Sequence, residues 1–246
     1  MTVTDALLVA QKGRGLEITL NDPAGVSDAA ALQLTNTLLG AHERAAYVVL
    51  RSSGPDFITG RNNPRPPADA PIAPALERRR FSEVIFNCYG SFRACTVPII
   101  GVVRGRALGL GVSVAALCDI TFASESATFQ INEMNHRILP TMVMSSLVDR
   151  VNRKNLMYLV LSRATISAKR AQEMNIVTEV VPHDQLNSAV DDLIKIFEET
   201  PTAAIQGVKE YLAAAYDMPI KGAVDFARNL HAVINAAPEL QAKPVV

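Results

Sequence analysis

The sequence predicts a mixed α/β protein whose first half is built around a parallel sheet and whose C-terminal region is helical. Short, wholly apolar segments at residues 47–50 and 97–103 alternate with longer stretches of helical periodicity. Strands that alternate with helices form parallel sheets through crossover connections, and wholly apolar strands are typical of sheets covered on both faces. From about Asn152 onward, helical patterns fill most of the chain. This region is therefore expected to form a cover over the sheet or an interface.

The N-terminal elements follow from alternation and from capping signals. Leu7–Gln11 and Gly15–Leu20 alternate in polarity around a glycine-containing turn, which predicts a β-hairpin. Ser27 or Asp28 can cap the helix that follows, because their side-chain oxygens accept hydrogen bonds from the first helical turn. Apolar periodicity predicts that this helix runs to about Arg44 and precedes the first apolar strand.

The middle of the chain combines a long loop with a glycine-rich turn. Ser52–Ala75 is rich in proline, which predicts a loop whose length suits a functional or mobile segment. A helix from about Leu76 to Ala94 then precedes a strand at Val97–Val103, and the glycines of Gly105–Gly111 lead into a small-residue helix, Val112–Leu117. Further strands are predicted at 119–123, 128–131 and 177–181, and further helices at about 141–150, 153–162, 167–174, 183–198, 202–215 and 219–233.

The composition restricts the class of protein. Of the 246 residues, 49% are hydrophobic and 20% are charged, which is ordinary globular usage and excludes a disordered chain. Basic and acidic residues balance at 24 each, so no global field recruits nucleic acid or an anionic membrane. The absence of tryptophan and the aromatic content of 5% disfavour a platform on which bases stack. We therefore expect neither nucleic acid nor a membrane among the partners.

The cysteines and the N-terminus bear on the compartment. Cys88, Cys95 and Cys118 are odd in number and lack paired spacing, which argues against a disulfide framework or a zinc site. They are predicted to be buried apolar side chains in a reducing compartment. The N-terminus lacks the basic and apolar regions of a signal peptide, and the apolar stretches are too short to span a bilayer. The expected location is the cytoplasm.

Three segments in fixed order carry the candidate chemistry, at residues 56–61, 96–111 and 118–133. A glycine turn between a strand and a helix leaves backbone N–H groups pointing outward at the helix N-terminus. A second outward N–H can come from the loop that ends the first segment. Two converging N–H groups form an oxyanion hole for a developing enolate or tetrahedral oxyanion. The carboxylate of Glu133, beyond the next strands, could then act as the base.

The order and spacing of these segments resemble those of the crotonase superfamily, the enoyl-CoA hydratase/isomerase proteins. Phe57–Asn62 is similar to the family pattern F-x-x-G-x-D, and Thr96–Gly111 to K-P-x-I-A-x-x-x-G-x-A-x-G-G-G. The C-D-x-x-x-A pattern is intact at Cys118–Ala123, and Leu161–Val181 is similar to a later family segment. The resemblance extends over about residues 5–235.

The resemblance implies a spiral of ββα units with a helical C-terminal region. It divides the chain into a core at residues 1–195 and a helical trimerisation or cover region at residues 196–246. Family members assemble as trimers or hexamers and bind acyl-CoA thioesters. Coenzyme A is thus expected as part of the substrate, with no separate cofactor and no metal.

The resemblance also assigns roles to single residues. The backbone N–H groups of Arg61 and Leu110 would form the oxyanion hole, and Ile58, Gly60 and Arg61 would contact CoA. Leu110 stands where relatives have the middle glycine of G-G-G, so its backbone must adopt angles open to a residue with a side chain. The arginine run Arg78–Arg80 would be a solvated helix face or a contact for the CoA phosphates.

The catalytic carboxylates decide which reaction is expected. Family hydratases carry two glutamates, and at these positions this chain has Ser113 and Glu133. Hydration needs groups that hold and deprotonate water, whereas moving a double bond needs one base that removes a proton and returns it elsewhere. One glutamate therefore favours an enoyl-CoA isomerase of the Δ3,Δ2 type, with Glu133 as the catalytic residue.

Other interpretations remain open. A hydratase, or another enolate reaction, would need a second water-holding group near Ser113. A catalytically silent acyl-CoA-binding subunit would explain the missing glutamate. Ser113 would be a nucleophile, as in Clp-type serine peptidases of the same fold, only if His136 acted as its base. His136 and Arg137 follow Glu133 closely enough to tune its carboxylate if this segment is helical.

Overall fold

The computed structural model describes residues 6–22, 25–62, 71 and 73–241. Much of the proline-rich segment predicted as a loop, at 63–70 and 72, therefore lies outside the described residues, as do both chain ends. The strands are β1 (Leu7–Lys12), β2 (Gly15–Leu20), β3 (Tyr47–Ser52), β4 (Ile99–Val103), β5 (Arg106–Leu108), β6 (Ile120–Ser124), β7 (Thr128–Gln130), β8 (Ile166–Ser167) and β9 (Glu179–Val181). The helices are α1 (Asp28–Leu39), α2 (Ala75–Ala94), α3 (Leu110–Leu117), α4 (Thr141–Leu147), α5 (Arg153–Ser162), α6 (Ala168–Glu173), α7 (Leu186–Glu199), α8 (Thr202–Ala215), α9 (Ile220–Asn235) and α10 (Pro238–Gln241).

The strands form two sheets. The main sheet has six strands in the order β1-β2-β3-β4-β6-β9, and the smaller sheet has the order β5-β7-β8. Only the β1–β2 hairpin is antiparallel in the main sheet, and each of its other pairs is parallel. In the smaller sheet β5 runs parallel to β7, and β8 is antiparallel to it. The predicted hairpin and the predicted parallel sheet are both confirmed.

The cap of α1 is as predicted, but its length is not. The Ser27 hydroxyl accepts a hydrogen bond from the N–H of Ala30 at 3.2 Å. The predicted extension of the helix to Arg44 is wrong, because α1 ends before Gly40. Glycine is a poor helix former, and the Gly40 N–H closes the last turn on the carbonyl of Asn36 at 3.1 Å. A separate 3₁₀ turn follows.

Both faces of the main sheet are covered, as its apolar strands predict. The larger core joins one face to α1, α2 and α3, and buries side chains such as Leu34, Leu50, Phe92 and Leu117. On the opposite face, Tyr47, Val49 and Phe122 pack with Leu186, Val190 and Ile205 of α7 and α8. Cys88, Cys95 and Cys118 are free and buried, and burial raises the pKa of the Cys88 thiol to about 11.

A partly buried ion pair connects helix α8 to the sheet. The ammonium of Lys209, on α8, lies 2.6 and 2.5 Å from the two carboxylate oxygens of Asp119. The Oδ2 atom of Asp119 also accepts the N–H of Ile99 at 2.8 Å, at the start of β4. Asp119 is therefore a structural residue that links β4 and α8.

The helical C-terminal region is confirmed, and the expected boundary between residues 195 and 196 lies within α7. None of the helices in the described part of the chain combines the length and apolar character needed to cross a bilayer.

Candidate active site

The first turn of α3 is shaped by Gly109. This residue precedes α3 with a positive φ of 51°, and its N–H donates to the carbonyl of Gln130 at 2.9 Å. A Cβ at this position would overlap the Oε1 atom of Glu133. Glycine is therefore required twice, for its backbone conformation and for the close approach of a carboxylate.

Leu110 fits the position that relatives give to glycine. It is the first residue of α3, it is buried, and it is absent from the described residues with positive φ. An ordinary side chain is thus compatible with this backbone. The first N–H groups of a helix have no intrahelical acceptor. Within the described residues, no group accepts a hydrogen bond from the Leu110 N–H.

The loop that carries Arg61 packs against this turn. The carbonyl of Ile58 accepts the N–H of Leu108 at 2.8 Å, and a Cβ on Gly111 would overlap the same carbonyl oxygen. Next to Arg61, Val26 donates to the carbonyl of Gly60 at 3.0 Å. This pairing directs the Arg61 N–H away from Val26, and no acceptor for that N–H exists among the described groups.

The side chain of Arg61 is occupied. Its guanidinium binds both carboxylate oxygens of Asp28 on α1, with N–O distances of 2.8 and 2.9 Å. It also donates to the carbonyl of Phe81 on α2 at 2.9 Å. The guanidinium therefore connects α1 and α2. Because it is bonded there, the CoA contact expected of Arg61 would come from its backbone atoms. A contact between its side chain and the CoA phosphates would require these hydrogen bonds to break.

Glu133 begins a short 3₁₀ helix, Glu133–His136, and its carboxylate lies against Gly109 at the start of α3. Its Oε2 atom is buried and has no hydrogen-bond partner in the described structure. Burial raises the pKa of Glu133 above its ordinary value, although the backbone N–H groups of Glu133 and Asn132 and the charge of His136 oppose this shift. A carboxylate with a raised pKa and a free oxygen is suited to exchange protons with a ligand.

The 3₁₀ turn also places the neighbours of Glu133. His136 is exposed and belongs to the turn, and its charge lowers the pKa of Glu133, against the larger effect of burial. Arg137 ends the turn with a left-handed φ of 58° and is exposed. Arg78–Arg80 lie on an exposed face at the start of α2, and Arg79 pairs with Glu83 at 3.4 Å.

Ser113 lies one turn into α3 and is fully buried, with 0% of its surface exposed. Its hydroxyl has no hydrogen-bond partner among the described atoms, so it is not bonded to His136. A serine nucleophile needs an adjacent base. The interpretation of Ser113 and His136 as a nucleophile and its base is therefore wrong.

Sequence reasoning missed Tyr89, which is on α2 and only 3% exposed. Its hydroxyl lies near the Ser113 hydroxyl without reaching hydrogen-bond geometry in the described structure. Burial is the largest influence and raises the pKa of Tyr89, and the Glu133 carboxylate raises it further. A tyrosine within an amphipathic helix resembles a core residue, and no motif marks it.

These groups form a site that can stabilise an enolate and move a proton. Two backbone N–H groups without acceptors lie on adjoining segments, and a carboxylate with a raised pKa lies at the same helix start. Preorganised N–H donors stabilise an oxyanion, and a neighbouring carboxylate can deprotonate the carbon beside it. No three His, Cys, Asp or Glu side chains of the described residues group so as to hold a metal ion.

The enoyl-CoA hydratase/isomerase family model matches residues 15–242. The chain belongs to this family. Its members are crotonase-type enzymes, and the order of segments around the site agrees with the resemblance found in the sequence.

Named relatives of this family member differ in the reaction they catalyse. A 2,3-dehydroadipyl-CoA hydratase of Escherichia coli is 27% identical over 239 residues, which is 95% of this chain and 91% of the relative. A peroxisomal Δ(3,5)-Δ(2,4)-dienoyl-CoA isomerase of Arabidopsis thaliana is 24% identical over 191 residues, or 74% of this chain and 69% of the relative.

The fold of this family member is that of solved crotonase structures. An enoyl-CoA hydratase of Mycobacterium smegmatis superposes with a TM-score of 0.89 at 22% identity, covering 97% of this chain and 94% of that one. The predicted crotonase fold is therefore confirmed.

Proposed function

We propose that this protein acts on acyl-CoA thioesters through a thioester enolate, with Glu133 as the only catalytic carboxylate. The observation that carries the proposal is the partly buried Glu133 carboxylate beside Gly109, which has a raised pKa and a buried oxygen without a partner among the described residues. The backbone N–H groups of Arg61 and Leu110 hold the thioester oxygen, and Ile58, Gly60 and Arg61 contribute the contact to CoA.

The most concrete reaction is the movement of a double bond from the 3,4 to the 2,3 position. Glu133 removes a proton from the α-carbon, and the electron pair of that C–H bond forms an enolate whose oxygen accepts from the two N–H groups. The protonated Glu133 then returns the proton to the γ-carbon, and the remaining electrons form the 2,3 double bond. Atoms and charge balance without any further reactant.

Hydration of an enoyl-CoA is a second candidate. The buried hydroxyls of Ser113 and Tyr89 have no hydrogen-bond partner among the described residues, and the Tyr89 hydroxyl lies near the Glu133 carboxylate. These hydroxyls could hold a water molecule for addition to the β-carbon. The hydratase names of several relatives favour the same reaction. A silent acyl-CoA-binding subunit is the remaining alternative, and it requires that Glu133 does not exchange protons with a bound thioester.

Proton exchange separates these candidates. Wild type, Glu133→Gln and the control Glu125→Gln, whose glutamate is exposed, are incubated in D₂O with 2-enoyl- and 3-enoyl-CoA thioesters. We expect deuterium at the α- and γ-carbons together with a shifted double bond, both lost in Glu133→Gln and kept in the control. A product heavier by one D₂O indicates hydration instead. Thioester binding without exchange contradicts the proposed base.

The proposal also includes a homo-oligomeric assembly and a cellular location. Exposed apolar side chains on α8, on α9 and between them support a homotrimer or hexamer formed by the C-terminal region, and include Val208, Leu212, Tyr216, Ile220 and Val224. Light scattering on the purified protein tests this assembly. A cytoplasmic location stays a prediction from the sequence.

A further inference from the structure

The peptide of Arg61 is held on both sides by Val26, which lies just before α1. The N–H of Val26 donates to the carbonyl of Gly60 at 3.0 Å, and its carbonyl accepts the N–H of Asn62 at 2.9 Å. A Cβ on Gly25 would overlap the carbonyl oxygen of Gly60, so the two segments are in direct contact. The pairing is an isolated bridge between Val26 and Arg61 and does not continue into a longer strand. The backbone therefore directs the Arg61 N–H through a short contact.

The side chain of Arg61 is bonded to the same segment. Its Nε and Nη2 atoms donate to the two carboxylate oxygens of Asp28 at 2.8 and 2.9 Å, and Nη2 also donates to the carbonyl of Phe81 at 2.9 Å. Two parallel hydrogen bonds from a planar guanidinium to a carboxylate fix the angle between the groups as well as their distance. Because Asp28 lies two residues after Val26, the backbone and the side chain of Arg61 are attached to one short stretch of chain.

Asp28 extends from a well-anchored element. It is the first residue of α1, and the side chain that caps this helix is that of Ser27, so the Asp28 carboxylate is not needed for capping. A negative charge in the first turn of a helix is also favoured by the helix dipole. The same turn packs into the core through the buried Ala30 and Ala31. The carboxylate is therefore an acceptor on a rigid part of the fold, against which the guanidinium is oriented.

The ion pair is expected to affect geometry more than stability. The Asp28 side chain is 50% exposed and that of Arg61 is 18% exposed, and ion pairs with such exposure contribute little to stability. An N–H that stabilises an oxyanion must be placed accurately, because a displacement of about 1 Å can cost roughly 100-fold in rate. Loss of this pair is therefore expected to move the Arg61 peptide without unfolding the protein.

We propose that Asp28 is a positioning residue for the oxyanion hole. Through the guanidinium of Arg61, Asp28 fixes the peptide whose N–H donates to the thioester oxygen. This inference rests on the proposed function and extends it to a residue outside the three motif segments. The interaction of the thioester with Arg61 then depends on a carboxylate of α1 that lies 33 residues earlier in the chain.

The carbonyl stretching band of a bound thioester tests the proposal without requiring turnover. A hydrogen bond to a carbonyl oxygen lowers this frequency, and infrared difference spectra of butyryl-CoA with and without ¹³C at the thioester carbonyl isolate the band of the bound ligand. We expect wild type to shift the band to lower frequency relative to free butyryl-CoA. Asp28→Asn should lose at least half of this shift, because the amide NH₂ is a donor and cannot bind a guanidinium N–H.

Two further variants separate positioning from a general effect. Arg61→Met keeps the backbone N–H and removes the guanidinium, so it should reduce the shift as Asp28→Asn does, and the double variant should lose no more than either single variant. Asp149→Asn is the matched control, since the Asp149 side chain is 47% exposed and pairs with the guanidinium of Arg93 at 2.6 Å. This control should keep the wild-type shift. Thermal unfolding checks that Asp28→Asn remains folded.

Several results would overturn the proposal. A full wild-type shift in Asp28→Asn does so and leaves the proposed function intact, and additive losses in the double variant show that Asp28 does not act through Arg61. An equal loss in Asp149→Asn, or an unfolded Asp28→Asn, indicates a merely structural role. A wild type that binds butyryl-CoA without a shift, or does not bind it, overturns the oxyanion hole of the proposed function together with this inference. Because no proton is transferred in this measurement, failure of Glu133 as the base remains a separate outcome.

Discussion

The carboxylate of Glu133 lies over the α-carbon of Gly109, so closely that a methyl group on Gly109 would overlap its Oε1 atom. This contact places the carboxylate that we propose as the base against the first turn of α3. Burial of the carboxylate raises its pKa. The position and the protonation of Glu133 are the basis of the first two predictions.

The stability of the protein should increase when Glu133 is made neutral. Because the folded-state pKa is raised, ionisation of Glu133 opposes folding, and wild type loses stability as pH rises from the unfolded pKa through the folded one. We expect Glu133→Gln to be more stable than wild type at pH 7. Thermal unfolding from pH 4 to pH 7 measures this gain, which should shrink toward the lower pH. The exposed Glu125→Gln variant should show no such trend, and a loss of stability in Glu133→Gln at pH 7 would refute the prediction.

The dependence of kcat/KM on pH should report the ionisation of Glu133. A base must be ionised to act, so kcat/KM should rise with pH through a pKa above the ordinary value of about 4.3. The charge of His136 opposes the raised pKa, and His136→Ala should therefore move the rise to higher pH. The exposed His231 lies outside the site and gives the control variant His231→Ala. A profile that is flat down to pH 4 would argue against Glu133 as the base.

The N–H of Leu110 can be removed by one substitution. Leu110 is the first residue of α3, a position that tolerates proline because its N–H makes no intrahelical bond. Leu110→Pro and Leu110→Ala both lose the buried side chain, but only the first loses the N–H. We expect kcat of the proline variant to be about 10²–10³ lower than that of the alanine variant. Equal kcat values for the two variants, measured on folded protein, would show that this N–H is not part of an oxyanion hole.

The attachment of α8 to the sheet should depend on Lys209. Removing the buried Lys209 leaves the partly exposed Asp119 carboxylate without its cation, so Lys209→Met should cost about 2 kcal/mol of unfolding free energy. Lys195→Met breaks an exposed pair with Asp192 and should cost less than about 0.5 kcal/mol. Urea unfolding of both variants measures the difference, and similar costs would mean that the Asp119 pair adds nothing specific.

Much of the fold was predictable from the sequence because its signals are periodic and local. Helices α5 and α8 have the predicted bounds, and the hairpin β1–β2 follows from alternation. The smaller sheet was not predicted, apart from the strand β7. Its partners β5 and β8 have three and two residues, too few for alternation to be detected. These strands form through tertiary pairing with β7, a nonlocal effect.

The residues of the candidate site also separate into those that sequence motifs indicate and those that only tertiary packing brings together. Arg61, Leu110, Ser113 and Glu133 were named because motif order marks their positions. Tyr89 was not, because its buried position depends on how α2 packs on α3, and apolar residues surround it in the sequence. The ion pair of Arg61 with Asp28 was equally hidden, since 33 residues separate its two partners.

The complete burial of α3 limits which side chains this helix can carry. All eight of its residues are buried, and 0% of the surface of Ser113 is exposed. A longer side chain at Ser113 would displace its packed neighbours, and such overpacking typically costs about 1–3 kcal/mol. A change of residue in α3 therefore alters the stability of the fold as well as the shape of the site.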